Sequence, residues 1–202
     1  YGNYAMQWLC KAIESYENAF GTDLGFLNTP GLTDLGWYDL AVTGSVAIYG
    51  YGDCYTGFEN YKYMMWCASR AKDSALLMTR LEEMEKMGYE GGTLELIYYD
   101  PSLLDEASER KLDYYVRGME IVTMRQNWFD KNATFLGTHA GIAYRDHGHF
   151  DIGTFAIHMA GEELFREIGS ENYSFDGYFN GFNRYRYYRA RPEGHNLYVI
   201  NP

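Results

Sequence analysis

The sequence lacks the features of a membrane-spanning, disulfide-rich or nucleic-acid-binding protein. No apolar run approaches the roughly 18 residues that a membrane-spanning helix requires. The three cysteines, Cys10, Cys54 and Cys67, contain no C-x-x-C pair and are odd in number. We therefore expect small buried side chains rather than a disulfide framework. Lys and Arg number only 17 against 28 Asp and Glu, and the net charge of −11 argues against a nucleic-acid partner.

Histidine is missing from the first 138 residues, and all five histidines lie between His139 and His195. His147 and His149 belong to the segment Asp-His-Gly-His-Phe-Asp over 146–151. On a strand, residues two positions apart point to the same side, so both imidazoles could share a metal or a substrate. We therefore expect the chemistry of the chain in its last third.

The chain begins without an initiator Met or a signal peptide and ends at Pro202, directly after a strand-like run. These ends predict a piece of a longer protein, so the missing signal peptide carries no conclusion about export. The length of 202 residues allows one large domain or two small ones.

Hydrophobic periodicity predicts a helical first part and a β-rich second part. Apolar residues at three- and four-residue steps predict an amphipathic helix that ends at Gly21. Its apolar stripe consists of Met6, Leu9, Ile13, Tyr16 and Phe20. Further helices are predicted over 33–42, 58–70, 74–87 and 93–98. Alternating residues then predict strands over 115–123, 133–136, 153–159, 164–168, 185–190 and 197–200, with a hairpin turn at 159–163. The pattern indicates an α+β chain, helical over 1–104 and antiparallel β over 105–202.

His149, Glu167 and His195 form a candidate metal-ligand set. Glu167 ends a predicted strand and His195 precedes the last one, so both could approach His149. Two neutral imidazoles and a carboxylate suit Zn²⁺, with a fourth position for water. A His-x-His pair also occurs outside metal sites, so purely structural histidines are the alternative.

The sequence is also rich in aromatic residues, at 18% with 21 Tyr, and carries one local basic cluster. Tyrosines can build a core, but they also form walls on which sugar rings stack. Arg184, Arg186, Arg189 and Arg191 lie within eight residues, close to His195. This cluster would suit an anionic substrate, and the alternative is a strand with solvated basic positions.

Three ordered motifs resemble those of the heparinase II/III-like polysaccharide lyases. They are Asp-His-Gly-His-Phe-Asp-Ile-Gly-Thr-Phe over 146–155, Gly-Glu-Glu-Leu-Phe-Arg-Glu-Ile-Gly over 161–169, and Glu-Gly-His-Asn over 193–196. Upstream, residues 125–141 resemble the first sheet strands of that family, and residues 21–44 resemble its last toroid helices. The resemblance covers nearly the whole chain. It implies the C-terminal part of an α/α toroid followed by the opening strands of an antiparallel β-sandwich.

The resemblance also implies a reaction and a role for each motif residue. His149, Glu167 and His195 would bind a mainly structural zinc ion, although the family usually has Asp at the position of Glu167. His147 would contact the substrate in the cleft. The implied reaction is β-elimination on a uronic-acid polysaccharide such as heparan sulfate, heparin or alginate. It requires neutralisation of the carboxylate, a base for the C5 proton and an acid for the departing C4 oxygen.

Other site residues follow from where the family's groups would fall. The catalytic Asn/His pair of the toroid would lie before Tyr1, and the catalytic Tyr near the chain start. Tyr1 is the candidate, and Tyr4 or a tyrosine before Tyr1 are the alternatives. From the basic cluster, Arg184 and Arg186 are candidate substrate-binding residues. Tyr178, in the glycine-rich loop before that cluster, is a further candidate, with core or surface packing as the alternative. His158 is expected to point outward from its strand in a structural role. The resemblance further implies a periplasmic or secreted protein.

Two other functions compete with a lyase. A non-catalytic carbohydrate-binding or scaffold protein would explain both the aromatic surplus and the missing Asn/His pair. A metal-dependent hydrolase would use His147, His149 and Asp151, which match the start of the His-x-His-x-Asp-His ligand set of metallo-β-lactamase-like enzymes. Ile152 stands where that set needs its next histidine.

Overall fold

The computed structural model describes residues 2–54, 61–105, 109–143 and 146–200. The chain divides into two compact units, residues 1–40 with 59–110 and residues 41–58 with 111–202. The first unit is helical and the second carries a five-stranded antiparallel sheet, so the expected α+β class is confirmed. The toroid, the sandwich and the boundary at 104 remain predictions. No helix among the described residues is long and apolar enough to cross a membrane.

The helices follow the predicted ranges closely. They are α1 (Gly2–Phe20), α2 (Leu35–Val42), α3 (Tyr63–Ala71), α4 (Ser74–Lys86) and α5 (Thr93–Tyr98). Short 3₁₀ helices lie at Phe26–Asn28 and Pro101–Asp105. Gly21 ends α1 as predicted, since it has a φ of 69° and its N–H donates to the carbonyl of Glu17 at 2.9 Å. The predicted start of the third helix, at 58, lies outside the described residues.

α1 buries part of the predicted stripe, since Met6 and Ile13 are buried as predicted. Met6, Cys10 and Ile13 are buried, whereas Tyr16 and Phe20 are exposed. The buried positions follow i, i+4 and i+7, which defines one narrow face of a helix. The small Cys10 side chain therefore lies in the contact that the larger aromatic residues were expected to make.

Half-buried polar side chains join the helices of the first unit. Asp73 caps α4 and accepts a hydrogen bond from the Trp37 indole at 2.7 Å. Glu14 of α1 accepts from the Trp66 indole of α3 at 2.6 Å and forms an ion pair with Arg70. These contacts fix α1 on α3 and α2 on α4.

The second unit is built on a sheet with strand order β1-β2-β3-β4-β5, all pairs antiparallel. The strands are β1 (Tyr114–Val116), β2 (Ile121–Arg125), β3 (Phe135–His139), β4 (Phe155–Met159) and β5 (Glu162–Phe165). The single strand predicted over 115–123 is wrong. A turn at 117–120 interrupts it because Gly118 and Glu120 have φ of 87° and 53°, the left-handed conformation of tight turns. The predicted hairpin turn between β4 and β5 is confirmed.

The strands predicted over 185–190 and 197–200 are also wrong. Residues 181–194 form three successive 3₁₀ helices, Gly181–Arg186, Tyr188–Ala190 and Pro192–Gly194. Arg184 and Ala190 are buried in two different 3₁₀ helices, which the extended residue Tyr187 separates. The alternation of Tyr and Arg therefore does not reflect a strand with an inner and an outer face.

Residues 41–54 lie against one face of the sheet. Arg125 of β2 donates to the backbone carbonyls of Ala41 and Thr43, the latter at 2.9 Å. The Tyr49 ring packs on Gly137 of β3, where an added Cβ would lie 2.6 Å from it. This segment is remote in sequence from the strands, yet it covers this face of the sheet through these contacts.

His158 does not point outward as predicted. Its side chain is fully buried, and its ring lies 5.1 Å from that of Phe135. A Cβ added to Gly44 would approach the same ring to 2.4 Å. The His158 side chain therefore points from β4 toward residues 41–54. A larger residue than glycine at position 44 would clash with the imidazole.

Candidate active site

The His-Gly-His segment lies in the loop between β3 and β4 rather than on a strand. His147 has a φ of 58°, so its side chain and that of His149 are not related by strand alternation. The two imidazoles nevertheless bond to the same carboxylate. Nδ1 of His147 is 2.9 Å from Oδ2 of Asp53, and Nε2 of His149 is 3.0 Å from Oδ1.

Asp53 is the centre of this site. Its side chain is 1% exposed, and besides the two histidines it accepts from the Tyr178 hydroxyl and from Nη2 of Arg184, each at 2.5 Å. Burial raises the pKa of Asp53, but the bonds from His149, Tyr178, Arg184 and His147 outweigh it and hold the pKa well below its usual range. Asp53 is therefore an ionised, fully bonded carboxylate near neutral pH.

Backbone contacts place Asp53 next to the histidine loop. The N–H of Asp53 donates to the carbonyl of His147 at 3.0 Å, and the N–H of Gly52 donates to Asp151 at 2.8 Å. Gly52 has a φ of 56°, and a Cβ there would lie 2.6 Å from the same His147 carbonyl. The two loops can approach this closely because position 52 is glycine.

A pocket of about 500 Å³ opens beside His147. It is lined by Asp146, His147, Tyr178, Phe179, Gly181, Arg184 and Tyr185. The His147 side chain is 31% exposed, whereas His149 behind it is fully buried. Aromatic rings surround His147, with ring centroids of Tyr173 and Phe179 at 6.0 and 5.5 Å. The predicted substrate contact thus lies at a cavity, and the predicted metal ligand lies in the protein interior.

The three predicted metal ligands lie near one another. The ring centroids of His149 and His195 are 5.3 Å apart, and Nδ1 of His195 is 2.5 Å from Oε2 of Glu167. The other carboxylate oxygen of Glu167 accepts from the Thr154 hydroxyl. β5 ends before Glu167, so this residue follows the strand instead of ending it. Across the described ranges, no group of three or more His, Cys, Asp or Glu side chains is arranged to hold a metal ion.

His149 and His195 each have one buried ring nitrogen without a hydrogen-bond partner among the described residues. They are Nδ1 of His149 and Nε2 of His195. Because an ionised Asp53 can only accept, His149 must carry its proton on Nε2, and Nδ1 then bears a lone pair. A buried lone pair without a partner is unfavourable unless a donor or a metal ion satisfies it.

The remaining predicted residues are placed differently from one another. Tyr1 lies outside the described residues. Tyr178 and Arg184 line the pocket but are bound to Asp53, whereas Arg186 is exposed. Arg189 donates to the backbone carbonyls of residues 168 and 170, and Arg191 pairs with Glu193. The arginine cluster is therefore not a single basic patch.

Sequence reasoning missed Asp53, which lies 94 residues before His147 in the chain. Nothing near it resembles a chemical motif, since it stands in a segment rich in glycine and turn residues. The only available signal was an acidic residue directly after Gly52 in a stretch with little predicted secondary structure.

The chain matches no known protein-family model and no curated protein. It is similar to solved structures of lyases. Two structures of a heparinase III gene product, one with methylated lysines, match 97% of this chain with TM-scores of 0.61 and 0.58 and identities of 17% and 19%. A mutant heparan sulfate lyase from Pedobacter heparinus matches 89% of it with a TM-score of 0.54 and an identity of 16%. The chain spans only 26 to 28% of the length of these proteins. The likeness shows that this chain has the fold of one part of a heparinase-like lyase.

Proposed function

We propose that the chain is part of a polysaccharide lyase that cleaves an acidic, uronic-acid-containing polysaccharide by β-elimination. The observation that carries the proposal is the Asp53–His147 pair at the edge of a pocket, on a fold shared with heparinase-like lyases. The proposal includes export to the periplasm or the medium, where such polymers are found.

The reaction requires a group that exchanges protons beside the sugar. A base removes the C5 proton, the electron pair forms the C4–C5 double bond, and the C4–O bond breaks as an acid protonates the leaving oxygen. With its Nδ1–H donated to Asp53, His147 can accept a proton at Nε2, and the carboxylate stabilises the imidazolium that forms. The ion pair between Arg184 and Asp53 holds a second cation at the pocket, near where a uronate carboxylate would bind.

Zinc is the second part of the proposal, with His149, Glu167 and His195 as the residues that would hold it. The donor types suit zinc, since His149 has an unpartnered buried nitrogen and the Glu167 carboxylate lies against the His195 ring. Glu167 would bind the ion in exchange for its present hydrogen bond with Nδ1 of His195. Bound zinc would supply a structural crosslink between the His149 loop and the segment that carries His195. His147, which shares Asp53 with His149, depends on the order of this loop.

The lyase proposal is tested by incubating the full-length protein that contains this chain, with any residues that precede Tyr1, with heparan sulfate, heparin and alginate in turn. Formation of the unsaturated uronate, followed by its ultraviolet absorbance, supports β-elimination. Replacing His147 by Gln should abolish the product, whereas Glu162→Gln on the exposed edge strand should leave it unchanged. Hydrolysis products without the double bond would contradict the proposal.

The zinc proposal is tested by the metal content of the purified chain. We expect about one equivalent of zinc in the wild type and its loss in both His149→Ala and Glu167→Ala. A folded wild-type chain without metal would refute the ligand assignment.

A non-catalytic carbohydrate-binding protein is the second candidate function. It is favoured by exposed aromatic side chains, Phe179 in the pocket lining at 58% exposure and Phe182 next to the lining residue Tyr185 at 67%, which offer faces for sugar stacking. Saturable binding of a polysaccharide without any unsaturated product would favour this function over the lyase.

A further inference from the structure

We propose that Asp53 is a positioning residue that fixes His147 and His149 in opposite tautomers, His147 protonated on Nδ1 and His149 protonated on Nε2. One carboxylate would thereby prepare a proton acceptor on the pocket side and a metal donor on the buried side. The use of these tautomers in catalysis rests on the proposed function, whereas the tautomers themselves do not.

Four hydrogen-bonding groups surround the Asp53 carboxylate, and all of them must donate to it. An ionised carboxylate accepts hydrogen bonds and donates none. Its two oxygens are bonded to Nδ1 of His147, Nε2 of His149, the Tyr178 hydroxyl and Nη2 of Arg184. Each partner must therefore point a proton at Asp53, and a neutral imidazole that does so carries its lone pair on the opposite nitrogen.

Burial and fixed contacts hold the Asp53 carboxylate next to both histidines. Its side chain is buried, and the Arg184 guanidinium, itself only 7% exposed, keeps it charged. The backbone N–H of Asp53 is bonded to the His147 carbonyl, so the carboxylate and the His147 loop move together. Tyr178 is buried and contacts the other oxygen.

The environment of Nδ1 of His149 favours the same tautomer. Its Nδ1 is buried and has no hydrogen-bond partner in the described part of the chain. If Nδ1 carried the proton instead, an unsatisfied N–H would be buried and the contact with Asp53 would set a lone pair against a carboxylate oxygen. The tautomer that Asp53 imposes is also the one that a metal ion requires.

The tautomers can be read directly from long-range proton–nitrogen NMR spectra of the ¹⁵N-labelled chain. The chain has only five histidines, so single His→Gln variants suffice to assign the rings. In the wild type near neutral pH we expect the Nδ1–H form of His147 and the Nε2–H form of His149, both without zinc and with it. The opposite form in either ring would overturn the proposal, and the tautomers themselves are read from the wild-type chain.

Asp53→Asn then tests the cause. An amide of similar size offers one acceptor oxygen and one donor nitrogen, so at least one of the two rings should change tautomer or become a mixture. Tyr178→Phe is the matched control because it removes one donor and keeps the carboxylate, and both tautomers should persist. Unchanged rings in Asp53→Asn, or changed rings in Tyr178→Phe, would show that packing rather than the carboxylate sets the tautomers.

Two further measurements separate this proposal from the proposed function. Zinc affinity should fall about 10- to 100-fold in Asp53→Asn, as for other groups that orient a metal-bound histidine. If the wild type cleaves a polysaccharide, kcat should fall about 10²- to 10⁴-fold in this variant with little change in KM. A full-length wild type with the expected tautomers but no lyase product would refute the function and leave the role of Asp53 intact.

Discussion

Acidification should destabilise the fold through His158, the histidine that β4 turns into the interior. Burial lowers its pKa to about 4. The nearest carboxylate, Glu163, is 3.6 Å from Nε2, too far for a hydrogen bond, and is also 3.6 Å from Arg166. No strong contact with an anion therefore offsets the loss of hydration when His158 gains a proton.

The sign and size of the effect follow from the two pKa values. In the unfolded chain the pKa of histidine is about 6.5. Below that pH the unfolded state binds more protons at His158 than the folded state, so the free energy of unfolding falls as the pH falls and levels off below about 4. Between about pH 7.5 and pH 5 this residue alone should cost about 2 kcal/mol.

Urea unfolding of the wild type and His158→Gln at these two pH values measures the effect. The wild type should lose about 2 kcal/mol more than the variant on acidification, whatever the stability of the variant at neutral pH. Glu163→Gln is the control and should keep the wild-type pH dependence. Equal losses in the wild type and His158→Gln would refute the argument that a neutral buried imidazole is being protonated.

Three further predictions concern the packing around the site. Gly52→Ala should lower the free energy of unfolding by about 1–3 kcal/mol more than Gly88→Ala in thermal unfolding, because both glycines have positive φ but only Gly52 lies against a backbone carbonyl. Arg184→Met should lower the free energy of unfolding by about 3–5 kcal/mol, because it removes a partner of a buried carboxylate. Arg186→Met, at an exposed position, should leave urea unfolding unchanged. Similar losses in both variants would contradict the argument from burial. Arg125→Met should cost about 2–4 kcal/mol, because two backbone carbonyls lose their donor, and a wild-type urea midpoint would disprove this role.

The sequence was informative where one local pattern decides the structure. The helix over 93–98 and the end of α1 at Gly21 follow from local periodicity and a terminal glycine, and the structure has both. The sequence could not predict which way His158 points, because its direction depends on residues 41–54, more than a hundred positions earlier. The Tyr and Arg alternation over 185–190 misled for a related reason, since Arg184 is buried by its bond to Asp53 rather than by strand geometry.

The sequence predicted which histidines form the candidate site, but it did not predict the residues to which they are bonded. The spacing of His147 and His149 indicated a shared partner, and both rings bond to Asp53. The metal and the substrate that the sequence also suggested for them stay predictions. A contact across 94 residues leaves no trace in a single sequence. The bonds of Glu167 to His195 and Thr154 are long-range contacts of the same kind.

The sheet unit is not one continuous stretch of chain, and this bears on how it can be made. Residues 41–58 are synthesised before the helices α3 to α5, whereas the strands and Arg184 are synthesised after them. The pairing of Asp53 with Arg184 spans 131 residues, so the site can close only after synthesis has passed the last strand and reached Arg184. A shortened chain that starts at residue 111 would carry every histidine and every described strand, yet it would lack Asp53 and the layer over the sheet. Truncated variants and domain grafts should therefore keep residue 41 and residue 195 on the same polypeptide.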